Sequence, residues 1–106
     1  MSLFKTYEQV CKGLLEVQTV LESQVDYTDG DAVAEKLAEL NQWYSYSCTL
    51  MASAELWYRK DKKSEEKFAT NLLAERLNNS LSLRIRTYIS LLSSLKEDKR
   101  IHFQGK

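Results

Sequence analysis

The chain has 106 residues, a formal net charge of zero from fifteen basic and fifteen acidic side chains, 43% hydrophobic residues, no proline and three glycines. This length allows one domain, and the composition excludes a disordered chain and a helix crossing a bilayer, which needs about 20 consecutive apolar residues. Pro and Gly punctuate turns and end helices, so a chain this poor in both has few places to bend and little loop to carry catalytic groups.

The neutral total hides a polarity. Residues 1–53 hold three basic residues against eight acidic ones, a net −5, and residues 54–106 hold twelve against seven, a net +5. Antiparallel helices that complement each other account for this without a partner. The alternative is a basic half that meets nucleic acid or an acidic protein surface.

Apolar residues recur every three or four positions almost from end to end, which predicts a few long amphipathic helices and no strand layer. The first helix is expected over about 3–25, with a seam of Phe4, Tyr7, Cys11, Leu14, Leu21 and Val25, widened by Val10, Leu15 and Val17. Gly13 inside it costs about 1 kcal/mol relative to Ala and suits a close helix crossing. The one clear break is the turn at 26–31, where Asp26, Asp29, Gly30 and Asp31 supply turn conformations. Thr28 or Asp29 is expected to cap the next helix, with Thr28 and Asp31 resembling a capping box.

The second helix is predicted over about 30–60, roughly 45 Å long. It carries two stripes, one of Val33, Leu37, Leu40, Tyr44, Ser47, Met51, Ala54 and Tyr58, the other of Trp43, Tyr46, Leu50 and Trp57. Two stripes mean burial on two sides, as in the central helix of a bundle or a helix that also meets another subunit. A charged connector is expected at 61–70, either helix or short loop, with Ser64 or Thr70-Asn71 as caps for a last helix over about 71–98. Its seam is Leu77, Leu81, Ile85, Tyr88, Leu92 and Leu95; Asn78-Asn79-Ser80 is a poor helix interior and marks a candidate kink. Residues 99–106 are read as a fraying tail, with Gly105 a stop signal. The fold class is therefore all-α: two or three long antiparallel helices in a hairpin or three-helix bundle, which self-association would complete.

Candidate chemistry is sparse. His102 is the single histidine, the two cysteines lie 37 positions apart, and no CxxC, HxxxH or ExxH spacing occurs, so no metal site is expected. Isolated glycines make no phosphate-binding loop, and no Ser or Cys has a base and an orienting acid in prospect. The expectation is a non-enzyme without cofactor, small-molecule ligand or membrane contact. The N-terminal residues form no apolar signal-peptide core, and Cys11 and Cys48, set among apolar residues, suit reduced thiols. Both features predict a cytoplasmic protein.

Two groups remain as candidate interaction residues. Trp43, Tyr44, Tyr46, Trp57 and Tyr58 form the densest apolar patch, expected as core or as a protein interface, where Trp and Tyr are enriched. Arg59, Lys60, Lys62, Lys63, Arg76, Arg84 and Arg86 are candidates for contact with nucleic acid or an acidic partner; Arg84 and Arg86 point about 200° apart on a helix, so one phosphate-tracking stripe is not implied.

Residues 40–97 carry a broader likeness. Trp43-Tyr44, then Ala52-Ser53-Ala54-Glu55-Leu56-Trp57-Tyr58, a charged connector, and the run from Arg84 to Glu97 containing Ser93-Ser94-Leu95-Lys96 resemble small helical proteins of tailed phages and prophages of Gram-positive bacteria. Such proteins tend to be encoded beside single-strand-binding and recombination genes. The resemblance implies a role in phage DNA metabolism or on a host protein, in the host cytoplasm, and transfers no functional residue. The leading expectation is a non-enzymatic protein-binding accessory module, self-associated as a homodimer or larger and bound to another, unidentified protein. The alternatives are a nucleic-acid-binding protein and a structural coiled-coil assembly.

Overall fold

The computed structural model describes Phe4 and residues 6–104, with side chains placed as far as Lys96. Three helices follow one another: α1 (Tyr7–Glu22), α2 (Gly30–Lys60) and α3 (Glu65–Gln104). No strand occurs among the described residues. The helices run up, down and up. Tyr7 meets Trp57, Gly13 lies against Leu50 and Ser23 reaches Lys36, so α1 is antiparallel to α2. Phe68 meets Tyr58 and Asn78 meets Ser47, so α3 is antiparallel to α2 in turn. The molecule measures 66 × 23 × 18 Å, its length set by α3, whose 40 residues span about 60 Å. This is an all-α three-helix bundle.

The first helix is shorter than its periodicity predicts. Thr6 caps it: its hydroxyl accepts from the Gln9 N–H at 3.1 Å while the Gln9 side chain accepts from the Thr6 N–H at 3.2 Å, a closed capping box. Phe4 therefore lies outside the helix, its ring edge-on to Tyr46 at 5.4 Å and its N–H on the Ser53 hydroxyl. Leu3 falls outside the described residues. At the other end Ser23 turns the chain out, its N–H and hydroxyl both donating to the Val20 carbonyl. The inner face also differs from the expected seam: Val10, Gly13, Leu14 and Val17 are buried, Tyr7, Cys11 and Leu21 are half-buried, and Leu15 is exposed. The reason is that α1 touches both α2 and α3, which centres its buried stripe on the 10-14-17 row.

In the turn, Asp26 accepts from the Thr28 N–H and hydroxyl, which forms a local Asx turn. Thr28 is thereby spent on Asp26, and no Thr28–Asp31 capping box forms. Asp29 is the cap, accepting from the N–H groups of Asp31 and Ala32.

Both stripes of α2 find cover within the chain. Leu50 and Tyr46 pack at Gly13, where a methyl group would stand 2.5 Å from Leu50 Cδ2 and 2.9 Å from the Tyr46 hydroxyl, so the glycine permits the close α1–α2 crossing. Val33, Leu40, Leu50 and Ala54 join Ala74, Leu77, Leu81 and Tyr88 of α3 in one core. One side of α2 is covered by α1 and the other by α3.

The connector is four residues, 61–64, instead of 61–70. Ser64 begins α3 by accepting from the Lys67 N–H, which leaves Thr70 and Asn71 inside the helix. The helix runs unbroken through Asn78-Asn79-Ser80, and on through 99–104, where a tail was expected. Asn78 is tolerated because it is buried and employed: its amide donates to the Ser47 hydroxyl at 3.3 Å and to Cys48 Sγ at 3.4 Å. Gly105 lies outside the described residues.

Candidate functional site

The five aromatics of α2 are all half-buried. Trp43 packs edge-on to Tyr46 at 5.4 Å, Tyr7 tilts against Trp57 at 6.4 Å and Tyr58 meets Phe68 at 5.5 Å, while Tyr44 packs on the core. These rings line the seams between helices. Burial, with help from the nearby Glu16 carboxylate, raises Tyr46 above the usual tyrosine pKa.

The seven basic candidates separate into three places. Arg59, Lys60, Lys62 and Lys63 gather where α2 turns into α3. Two of these are engaged locally: Arg59 pairs with Glu55 at 2.7 Å and the Lys60 ammonium stands 4.9 Å over the Trp57 ring. Lys67, beside them, pairs with Asp61 at 3.4 Å and faces the rings of Tyr7 and Trp57. Arg59 and Lys62 open onto a shallow groove of about 570 Å³ shared with Glu55, Tyr58 and Asn71. Arg76 and Arg86 are exposed on the outer face of α3. Arg84 is neither: it turns inward, and its Nη1 donates to the Leu21 carbonyl at 3.0 Å. Helix α1 has no basic residue in its own last turn, so a guanidinium from α3 meets the negative end of its dipole.

Around Arg84 lies a cleft of about 760 Å³, a feature the sequence pattern does not suggest. The end of α1 and the following loop supply Leu21, Glu22, Ser23, Gln24 and Tyr27; α3 supplies Ser80, Leu83, Arg84, Thr87 and Tyr88. One guanidinium, one carboxylate, one amide and five hydroxyls line it along with apolar groups, the Ser23 and Thr87 hydroxyls donating to the Val20 and Leu83 carbonyls. The Tyr88 side chain is 1% exposed, and its hydroxyl is buried with no hydrogen bond of good geometry, Tyr27 and Arg84 being polar neighbours that fall short of one. Tyr27, half-exposed, stands edge-on to it with ring centres 6.0 Å apart. Burial and the neighbouring Tyr27 push the Tyr88 hydroxyl above the usual tyrosine range, and the Arg84 guanidinium partly offsets this. Of these residues only Arg84 stood out in the sequence. The one available signal was a tyrosine on an otherwise aliphatic seam.

Opposite the buried side of α3 runs a second row, Phe68, Leu72, Arg76, Asn79, Leu83, Arg86 and Ser90, spaced four, four, three, four, three and four. Phe68 is 50% exposed, Leu72 37% and Leu83 59%. The row presents apolar and basic groups together to solvent.

Among the described residues no group of three or more His, Cys, Asp or Glu side chains could hold a metal ion, and no helix is long and apolar enough to cross a membrane. No protein-family model, curated protein or solved structure matches the chain.

Proposed function

We propose that this protein is a non-enzymatic accessory module that binds another protein through the outer face of α3. The observation that carries the reading is the exposed row from Phe68 to Ser90, a second amphipathic stripe on a helix already buried along its opposite side. Its 3–4 spacing fits a partner helix laid along it, read by apolar anchors one turn or more apart. Arg76 and Arg86 lie within about 80° of each other on this face and favour a partner bearing acidic residues beside its apolar ones.

A second copy of α3 fits the row poorly. Antiparallel pairing about Asn79 sets Phe68 opposite Ser90 and Leu72 opposite Arg86, and parallel pairing sets Arg76 and Arg86 against their own copies. The likeness of residues 40–97 to small phage and prophage proteins agrees with an accessory role on a host protein or in DNA metabolism. The nucleic-acid reading has less support, because Arg59 and Lys67 are paired with carboxylates and Arg84 is held by α1.

A photo-crosslinking residue at position 83, compared with one at exposed Glu8, tests the proposal in cells that produce the protein. The expected result is a discrete protein adduct from position 83 only, lost when Arg76 and Arg86 are changed together to Glu. A salt-sensitive complex with a 30-nucleotide single strand, weakening steeply between low and moderate salt and independent of Leu72 and Leu83, would replace this reading with nucleic-acid binding.

A further inference from the structure

The cleft at the end of α1 is separate from the outer row of α3 except at Leu83, and what it holds is argued from its own groups. Arg84 uses one donor on the Leu21 carbonyl, and a guanidinium has five. Arg84 and Tyr27 neighbour the buried Tyr88 hydroxyl, which makes no hydrogen bond of good geometry, an arrangement that costs stability unless something completes it. Glu22 supplies the opposite charge on the same rim, next to the negative end of α1. Tyr27 and Leu83 supply apolar surface, and about 760 Å³ accommodates a small molecule. The cleft thus offers neighbouring places for a carboxylate and an ammonium, with a ring-sized apolar wall beside them.

We propose that the cleft is a binding site for a zwitterionic aromatic molecule of the aromatic amino-acid class. Arg84 and the Tyr88 hydroxyl hold its carboxylate, Glu22 holds its ammonium, and Tyr27 packs on its ring. Tyr27 now stands beside the Tyr88 hydroxyl, so it moves aside as the ligand enters and closes against the ligand's ring. The site needs no outer-face partner, and its test is independent of the protein-binding reading.

The experiment is an amide NMR titration of the full chain with L-phenylalanine, with phenylacetate and 2-phenylethylamine as probes lacking one charge each. Saturable shifts are expected on residues 22–27 and 80–88, with both probes weaker than phenylalanine by about tenfold, the loss of one charged contact. Tyr88→Phe keeps the ring, is expected to fold at least as well as the parent, and should weaken phenylalanine by about tenfold. Glu22→Gln should abolish the preference of phenylalanine over phenylacetate. Three results would each overturn the proposal: no saturable shift up to about 10 mM ligand, a range that reaches the weakest useful affinities; shifts confined to other residues; or unchanged affinity in Tyr88→Phe.

Discussion

Tyr88→Phe is the most informative single substitution, because it removes one buried oxygen from the wall of the cleft and leaves the packing in place. The Tyr88 ring belongs to the core and is 1% exposed, so its van der Waals contacts survive the change. Its hydroxyl is desolvated without a hydrogen bond in return. A buried, unsatisfied hydroxyl costs about 1–3 kcal/mol, and the substitution should recover the lower part of that range, about 1 kcal/mol. For a domain of this size the corresponding rise in Tm is about 4–8 °C. Urea unfolding followed by circular dichroism at 222 nm measures it, with an unchanged slope expected because the surface exposed on unfolding is the same. A loss of about 1 kcal/mol or more would refute the reasoning, since it would mean that the hydroxyl is bonded, with Tyr27 or Arg84 as the partner. A double-mutant cycle with Tyr27→Phe would then identify which.

Gly13→Ala should destabilise by about 1 kcal/mol or more in thermal unfolding, because the clash with buried Leu50 outweighs the gain in helix propensity of about 1 kcal/mol; a more stable variant would show that the crossing relaxes freely. Asn78→Asp, placing a carboxylate against Ser47 and Cys48, should cost about 2–4 kcal/mol at neutral pH and much less at acidic pH, measured by urea unfolding at both. Asp29→Ala removes the cap of α2 and should cost about 1 kcal/mol, with an unchanged value indicating that the Asp26 turn alone starts the helix. Tyr7, Tyr46 and Tyr88 are all raised, chiefly by burial, so the folded chain keeps protons that the unfolded chain releases. Stability should accordingly be full below about pH 10 and fall as pH rises from there through the folded-state values, and absorbance at 295 nm should show Tyr7, Tyr46 and Tyr88 titrating late.

The helical class and the three elements were legible because apolar periodicity and the lack of Pro and Gly act through the chain itself. The boundaries were less so. Phe4 continues the apolar spacing of α1 but belongs to the segment before it, and only the Thr6–Gln9 box, a matter of two hydrogen bonds, stops the helix there. Ser64 and Thr70 are equally plausible caps in sequence, and packing of Tyr58 on Phe68 selects the earlier one. Arg84 read as a surface cation because its partner is a backbone carbonyl 63 residues away, a contact that no local pattern encodes. The same holds for the cleft, which exists only where the end of α1 faces α3. Asn78 read as a flaw in a helix, and its burial against Ser47 turns it into a cross-helix bond.

The 16-residue α1 is close to the length below which an isolated helix barely persists in water, and it holds fewer neighbours than the α2–α3 pair. Amide hydrogen exchange should therefore resolve two cooperative units, with α1 opening at lower free energy than the long hairpin. Each such opening would strip the cover from Trp43, Tyr46 and Trp57 and make the 23–29 loop the first point of proteolytic cleavage. It would also release Arg84 from the Leu21 carbonyl. Anything bound between α1 and α3 would close that opening, so ligand occupancy should be read most sensitively as slowed exchange along α1.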